Sequence, residues 1–577
     1  MFFLEITYMN HSWDELDQYR GNLFEGQWPT ILDMFTISLN KFPQRNCFTV
    51  FTPDRITLNY VDVNNAMIRI GSYLQEIGLQ KGDKVVIIGK NSPEWALAYL
   101  ATLYCGGIVV PLDNQMHSER VSTLSAFCDA AFLFCDKPLL DSLSKEDPWF
   151  NGLKGIATLS GKSESYPHIN DLQAKEIHPL IKSRGEDVAA ILFTSGTTGN
   201  EKGVVLTHNN IVSDIYQACD GVFLSISESD VLYALLPLHH SYCCTAVFLE
   251  TLKHGAECVF GHELAVSKMI NDLTKGKVTT FMGIPLLYNK ILAGMMKQVK
   301  KKGVFVNTFV HLLMFINGFF KKYFNRNPLR KFFNKMLLSK LGLDQNRICI
   351  CGAGPLAPKV FKQYQQLGID FIQGYGLTET SPILTLNPVS HFKIDSVGMV
   401  FPLIDLKIGN PDAKGVGEIL VKGPNVTSGY YHDEEHTKEL FDEDGYLKTG
   451  DLGYLDKENY LYLKGRVKNL IVTEGGKNVY PEELEDMFQL YTQVEQILIR
   501  GYQEKKNIPA ECIEAVIYPN ADYYKENKAV VKDDLEKVIK EVNLKLSGYK
   551  KISKLTILDM PMDMTSTKKI KRNRVTA

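Results

Sequence analysis

The stretch Ala189-Ala190-Ile191-Leu192-Phe193-Thr194-Ser195-Gly196-Thr197-Thr198-Gly199-Asn200-Glu201-Lys202-Gly203 joins an apolar run of strand character to a loop of glycines and hydroxyls. Three glycines let the backbone turn tightly and approach a ligand. Four hydroxyls and Lys202 offer donors to phosphate oxygens. The segment departs from a Walker A loop, because Lys202 does not follow a glycine at that spacing and no Ser or Thr follows it. The other reading is a polar β-turn between strands, which leaves the hydroxyl density without a purpose.

On either side, helical and strand patterns alternate from residue 57 to about 420. Leu58 to Ile77 carries apolar residues at helical spacing and stops at Gly78. Lys84-Val85-Val86-Ile87-Ile88 reads as a strand. Ser92-Pro93-Glu94 reads as a helix start, with a cap, a first-turn proline and an acid at the positive helix end. Further strand-like runs occupy 187–194, 231–236, 257–260, 278–282 and 347–351. This alternation predicts an α/β fold with mostly parallel sheets. The pattern changes near residue 465, where Pro481 opens a helix and Val531, Leu535, Val538, Ile539, Val542 and Leu546 share one apolar face. The expected organisation is therefore a large N-terminal domain of layered α/β subdomains, residues 1–465, and a small α+β domain, residues 466–577.

A 577-residue chain exceeds a single compact core. Its formal charge of -2 gives no overall attraction to nucleic acid. The eleven cysteines are scattered without a CxxC pair, which fits reduced, buried thiols in a reducing compartment and a cytoplasmic location. The N-terminus has an early acid and no basic n-region, so a secretory signal is not expected. No uninterrupted apolar stretch reaches the ~20 residues that span a bilayer, and the expectation is a soluble chain, peripheral at most. Residues 297–340 hold eleven Lys/Arg and no Asp or Glu. The apolar run Phe309–Phe320 lies between the basic clusters, broken by His311, Asn317 and Gly318. Two readings stay open here: a patch that contacts the inner face of an anionic membrane, or a solvated helical insertion whose apolar face packs on the body.

Other motifs follow in order. Leu236-Pro237-Leu238-His239-His240-Ser241 places two histidines at a strand end, without further close His or Cys that would make a metal site. Ile350-Cys351-Gly352-Ala353-Gly354-Pro355-Leu356 is a strand and turn. Gln373-Gly374-Tyr375-Gly376-Leu377-Thr378-Glu379-Thr380 offers a hard carboxylate oxygen suited to a hard cation. Thr449-Gly450-Asp451 places a carboxylate after a tight turn, the logic of ribose recognition. Gly465-Arg466-Val467-Lys468 follows, and the chain ends near Thr565-Ser566-Thr567-Lys568-Lys569-Ile570-Lys571-Arg572.

Together these resemble the adenylate-forming superfamily, most of all its long-chain fatty acid–CoA ligases, from about residue 30 to 575. The resemblance implies that Thr194, Ser195, Gly196, Thr197, Thr198, Gly199 and Lys202 cradle phosphate, with Gly354, Gly374, Tyr375, Gly376, Thr378, Asp451 and Arg466 completing the nucleotide site. Tyr375 would stack on adenine. Glu379 and Thr194 would hold Mg²⁺, and His240 would border the acyl pocket. It also implies a catalytic Lys569, with Lys568 the alternative, and a mobile C-terminal domain rotating about Lys468 to bring Glu474-Gly475-Gly476 to a thiol. The implied reaction activates a medium- to long-chain fatty acid with ATP to acyl-AMP and passes the acyl group to CoA. Alternatives are an acyl-carrier-protein acceptor, as in acyl-ACP synthetases and fatty acyl-AMP ligases, or an inactive lipid-binding scaffold. Two departures stand out. Glu201 replaces the family's proline and must point away from a triphosphate or reduce ATP affinity, and Lys568 stands where that motif commonly has a glycine.

Overall fold

The computed structural model describes residues 11–195, 201–262, 265–473, 476–503, 512–525, 530–565 and 569–575. Among the described residues the strands form sheets of thirteen, six, three and two. The six-stranded sheet runs Gly155–Ser160, Ala130–Asp136, Lys84–Ile88, Ile108–Leu112, Val188–Ser195, Glu201–Thr207. Its first five strands are parallel and the last pair is antiparallel. A parallel strand covered on both faces needs apolar residues at successive positions. Val85, Val86, Ile87 and Ile88 meet that demand and are all fully buried. The crossover helix Pro93–Tyr104 begins as the sequence predicts: the Ser92 side chain accepts the Trp95 N–H at 3.1 Å, and Pro93 fills the first turn.

In the thirteen-stranded sheet, Asn46–Val50, Glu257–Phe260, Val231–Ala234, Thr280–Gly283, Ile348–Cys351 and Asp370–Gly376 lie parallel. From Ile383–Leu386 onward the sheet continues antiparallel through Gly398–Val400, Tyr460–Arg466 and Leu447–Leu455. This antiparallel half departs from the mostly parallel expectation. No α-helix lies between residues 383 and 433, and strands joined by turns alone cannot make a parallel crossover.

The C-terminal part is smaller. Val494–Tyr502, Cys512–Pro519 and Lys554–Ile557 form its sheet, backed by the helix Val531–Asn543. Leu535, Val538, Ile539 and Val542 of that helix are buried in a core shared with Ile471, Leu484, Phe488 and Ile499. The eleven cysteines are all free, and Cys349 and Cys351 are buried in their strand.

The basic segment contains the 21-residue helix Val304–Phe324, by length and composition apolar enough to cross a membrane, although Asn307, Thr308, His311, Asn317, Gly318, Lys321 and Lys322 interrupt its apolar run, as expected from the sequence. Gly318 and Asn317 sit inside the helix without interrupting it. The helix packs on the body through one apolar stripe, with Val310 and Met314 in the main core and Val306 and Leu313 against it, and leaves a second apolar face uncovered. Val310, Met314, Asn317 and Lys321 are the buried residues, whereas Phe305, Phe309, Phe315 and Tyr323 face outward.

Candidate active site

The two strands of the opening hairpin, Val188–Ser195 and Glu201–Thr207, pair antiparallel, with Thr194 opposite Lys202 and Ser195 opposite Glu201. The Thr194 hydroxyl reaches the Lys202 carbonyl at 3.5 Å. Gly196, Thr197, Thr198 and Gly199 lie outside the described residues, as does the Ser195 side chain. Successive side chains on a strand point to opposite faces, and this separates the two charges at the end of the loop. The Lys202 ammonium sits 4.9 Å over the Tyr430 ring, and the Tyr430 hydroxyl donates to Glu379 Oε1 at 3.0 Å. Glu201 turns the other way and pairs with Arg120. The Glu201 carboxylate is thereby held on the face of the strand opposite the Lys202 ammonium.

Glu379 lies on the turn Thr378–Thr380 at the end of the strand Asp370–Gly376. Gly376 is there for close approach, since a Cβ would overlap the Pro382 carbonyl oxygen. Gly374 lies against the Thr385 carbonyl and Leu386. The Ser241 hydroxyl donates to the Thr378 hydroxyl at 3.3 Å, tying this turn to the histidine segment. Asn91 fixes that segment from beneath: its Nδ2 donates to the Ala234 and Leu236 carbonyls at 2.9 and 2.7 Å, and its Oδ1 accepts the Leu238 N–H at 3.0 Å. His239 Nε2 lies 3.6 Å from Asp113 Oδ2, and the two histidine rings are 4.3 Å apart. Burial lowers both to a pKa of about 3, so both are neutral near pH 7. Gly354 lies within reach of Pro285, on the turn following the strand Ile348–Cys351.

Asp451 is buried, with Oδ2 accepting the Tyr375 hydroxyl at 2.8 Å and Oδ1 accepting Arg466 Nε–H at 2.9 Å. The carboxylate expected to receive two ribose hydroxyls thus already holds two partners, though each oxygen keeps a further lone pair. Burial and the adjacent Asp451 charge push the Tyr375 phenol up. The Asp451 charge raises Arg466 in turn. Lys569 approaches the same group from the C-terminal domain. Its pKa falls to about 8, because burial of the ammonium and the Arg466 guanidinium oppose its charge, with Asp451 acting in its favour. Its charge also reaches His240. Lys569 nonetheless counts among the exposed residues. The exposure is that of the whole residue, whereas the ammonium lies close enough to Arg466 and Asp451 to feel both charges. Two hydrogen bonds seat its backbone: Thr565 N–H donates to the Lys569 carbonyl at 2.8 Å, and Lys569 N–H donates to Thr565 Oγ1 at 3.0 Å. Lys568 lies outside the described residues, as do Glu474 and Gly475, while Gly476 is exposed with nothing within 4 Å of where a Cβ would lie.

The structure therefore brings Lys202, Glu379 and Thr378 together on one side, and Tyr375, Asp451, Arg466 and Lys569 on the other, with His240 beside Lys569. A model of the AMP-binding enzyme family matches residues 35–431. The chain belongs to that family. Among curated relatives of this AMP-binding chain, a long-chain-fatty-acid–CoA ligase of Gallus gallus is 28% identical over 438 residues, covering 71% of this chain and 57% of that protein. The long-chain-fatty-acid–CoA ligase of Bacillus subtilis is 26% identical over 513 residues, 82% of each. The match thus spans less than two thirds of the Gallus gallus relative and of a similar one from Xenopus laevis. An anthranilate CoA ligase solved with anthranoyl-AMP shares the fold at a TM-score of 0.76, with 19% identity and coverage of 95% and 96% of the two chains. The o-succinylbenzoate CoA synthetase of Bacillus subtilis, solved with ATP and magnesium, gives 0.73, 23%, and 94% and 98%.

Four contributors escape sequence reasoning: Tyr430, Asn91, Arg120 and Gln489. Gln489 joins the two domains, with its Oε1 accepting the Ala357 N–H at 2.9 Å and its Nε2 donating to the Pro355 carbonyl at 3.1 Å. Only Tyr430 had a local signal, the Gly429-Tyr430-Tyr431 run after Asn425-Val426-Thr427.

Proposed function

We propose that this chain activates a medium- to long-chain fatty acid with ATP to acyl-AMP and then forms the CoA thioester. The observation that carries the reading is the convergence of Lys569 of the small domain on Asp451 of the body, beside His240, with Arg466 at the boundary between the two. The reading takes residues 1–465 as the body and 466–577 as the lid, with Lys468 as the hinge. Names of curated relatives that are long-chain-fatty-acid–CoA ligases support the substrate class, and free, buried thiols support a cytoplasmic setting.

The carboxylate and the triphosphate are both anions, so the site must supply positive charge where they meet. Lys202 would face the terminal phosphates. Lys569 would follow the α-phosphate oxygens as a compact, mobile charge during in-line attack. At a pKa of about 8 it is about nine-tenths protonated at pH 7, and a bound anion raises that share. Glu379 and Thr194 offer hard oxygen donors that fit Mg²⁺, which when bound would neutralise triphosphate charge. Tyr375 and Arg466 hold Asp451 in place for the ribose. The neutral histidines can line an acyl channel without adding charge to it.

The test is AMP release with ATP, Mg²⁺ and a panel of acids from acetate to long-chain fatty acids, with CoA or acyl-carrier protein as acceptor. AMP and thioester formed from CoA with long acids support the proposal. Release only with short or aromatic acids, or none with any acid, refutes it.

A further inference from the structure

We propose that the helix Val304–Phe324 is a docking surface for an anionic lipid bilayer, on which it lies flat. This inference is independent of the acid-activating reading. The outward residues Phe305, Phe309, Leu312, Ile316, Phe319 and Tyr323 recur at spacings of four and three, which places them on one face. They are between 36% and 93% exposed. Twenty-one residues extend this face over roughly 30 Å, and apolar patches of that size on a soluble chain mark an interaction surface.

The opposite stripe fixes the helix to the body. Asn317 Nδ2 donates to the Gln366 carbonyl at 3.1 Å, and its Oδ1 accepts the Leu329 N–H at 3.0 Å. The Lys321 ammonium pairs with Asp370 at 2.6 Å. A helix crossing a bilayer would tear these polar contacts from the body, so the helix stays seated and offers one face.

Charge selects the occupant. Lys300, Lys301 and Lys302 are exposed before the helix, and Lys322, Arg326 and Lys331 are exposed at its end or beyond. Residues 297–340 include no acid. A second copy of the chain would bring basic cluster against basic cluster in parallel and antiparallel pairing alike. An anionic membrane surface satisfies both ends at once, while the phenylalanines enter the boundary between headgroups and acyl chains.

The test is cosedimentation of the full chain with vesicles of phosphatidylcholine alone or with about a third phosphatidylglycerol, where basic residues gain from the surface charge. The expected result is at least about tenfold stronger binding to the anionic vesicles, weakening as salt is raised. Two variants are compared, F309E/I316E/F319E and K300S/K301S/K302S, with thermal unfolding checked for each. Both should lose binding about tenfold or more while melting like the parent. Equal binding to both vesicle types overturns the proposal, as does full binding by the apolar variant. A dimer in light scattering that this variant dissociates, without vesicle binding by the parent, assigns the face to a second copy and also overturns it.

Discussion

Replacing Arg120 with Met should weaken ATP use without touching any group that faces the nucleotide. Arg120 neutralises Glu201, which stands beside Lys202 at the start of the strand Glu201–Thr207 but on its other face. Released from Arg120, the carboxylate carries a full negative charge, and on the proposed reading a triphosphate on the Lys202 face of the strand would lie on the order of 10 Å away. At an effective dielectric near 20 each such charge pair costs about 1.7 kcal/mol, or roughly a 15-fold loss of affinity. The Arg120–Glu201 pair is partly exposed, so its loss should cost the fold about 1 kcal/mol at most. ATP–pyrophosphate exchange at saturating fatty acid is the assay. The expected outcome is a KM for ATP raised about 15-fold, an effect that shrinks as ionic strength rises. Glu201→Gln alone should leave KM unchanged or lower it, and Arg120→Met/Glu201→Gln should restore the parental value. A KM unaffected by Arg120→Met, or a double variant as impaired as the single one, refutes the reasoning.

Three other outcomes follow from the same contacts. Lys569→Ala should reduce adenylation by a hundredfold or more on the scale of a lost transition-state charge contact (about 3 kcal/mol) while sparing thioester formation from preformed acyl-AMP. Equal loss of both half-reactions counts against its role. The lowered pKa of Lys569, about 8, means that the cation is present below that pH and lost above it. The kcat/KM of exchange should therefore fall above about pH 8, and Lys569→Arg should move that fall upward; an unmoved limb would assign it to another group. Asn91→Ala removes three buried hydrogen bonds at the histidine segment and should destabilise the N-terminal domain by about 3 kcal/mol, read as a lowered unfolding midpoint in denaturant.

The parts of the fold visible in the sequence are those whose cause is local. The run Lys84 to Ile88 is a strand because consecutive β-branched residues suit burial on both faces, and Ser92-Pro93 starts a helix because capping and proline geometry act within one turn. Glu379, Asp451 and Arg466 could be singled out because their motifs are short and ordered along the chain. Tyr430 and Glu379 lie 51 residues apart, and Gln489 and Ala357 are 132 apart. No periodicity encodes such partners, since the tertiary fold alone brings them together. The helix Val304–Phe324 shows a second kind of limit. Apolar spacing reveals a face but is the same whether that face meets the protein or the solvent. Here the small polar stripe of Asn317 and Lys321 turned inward because Gln366 and Asp370 satisfy it.

On the proposed reading, the electrostatics of the site also explain why one small domain can serve two half-reactions. With triphosphate present, Lys569 and Arg466 share an anion between them. Once pyrophosphate leaves, much of that negative charge leaves with it, and the two cations are set against each other with Asp451 as mediator. The lowered pKa of Lys569 comes first from burial of the ammonium and then from this opposition by Arg466. The domain contacts at Gln489, Lys290–Glu495 (3.1 Å) and Lys464–Glu483 (2.7 Å) are polar, the kind of interface that permits domain motion. Repulsion at Lys569 after the first step therefore acts on a polar joint, and withdrawal of the lysine follows from the loss of the anion that drew it in.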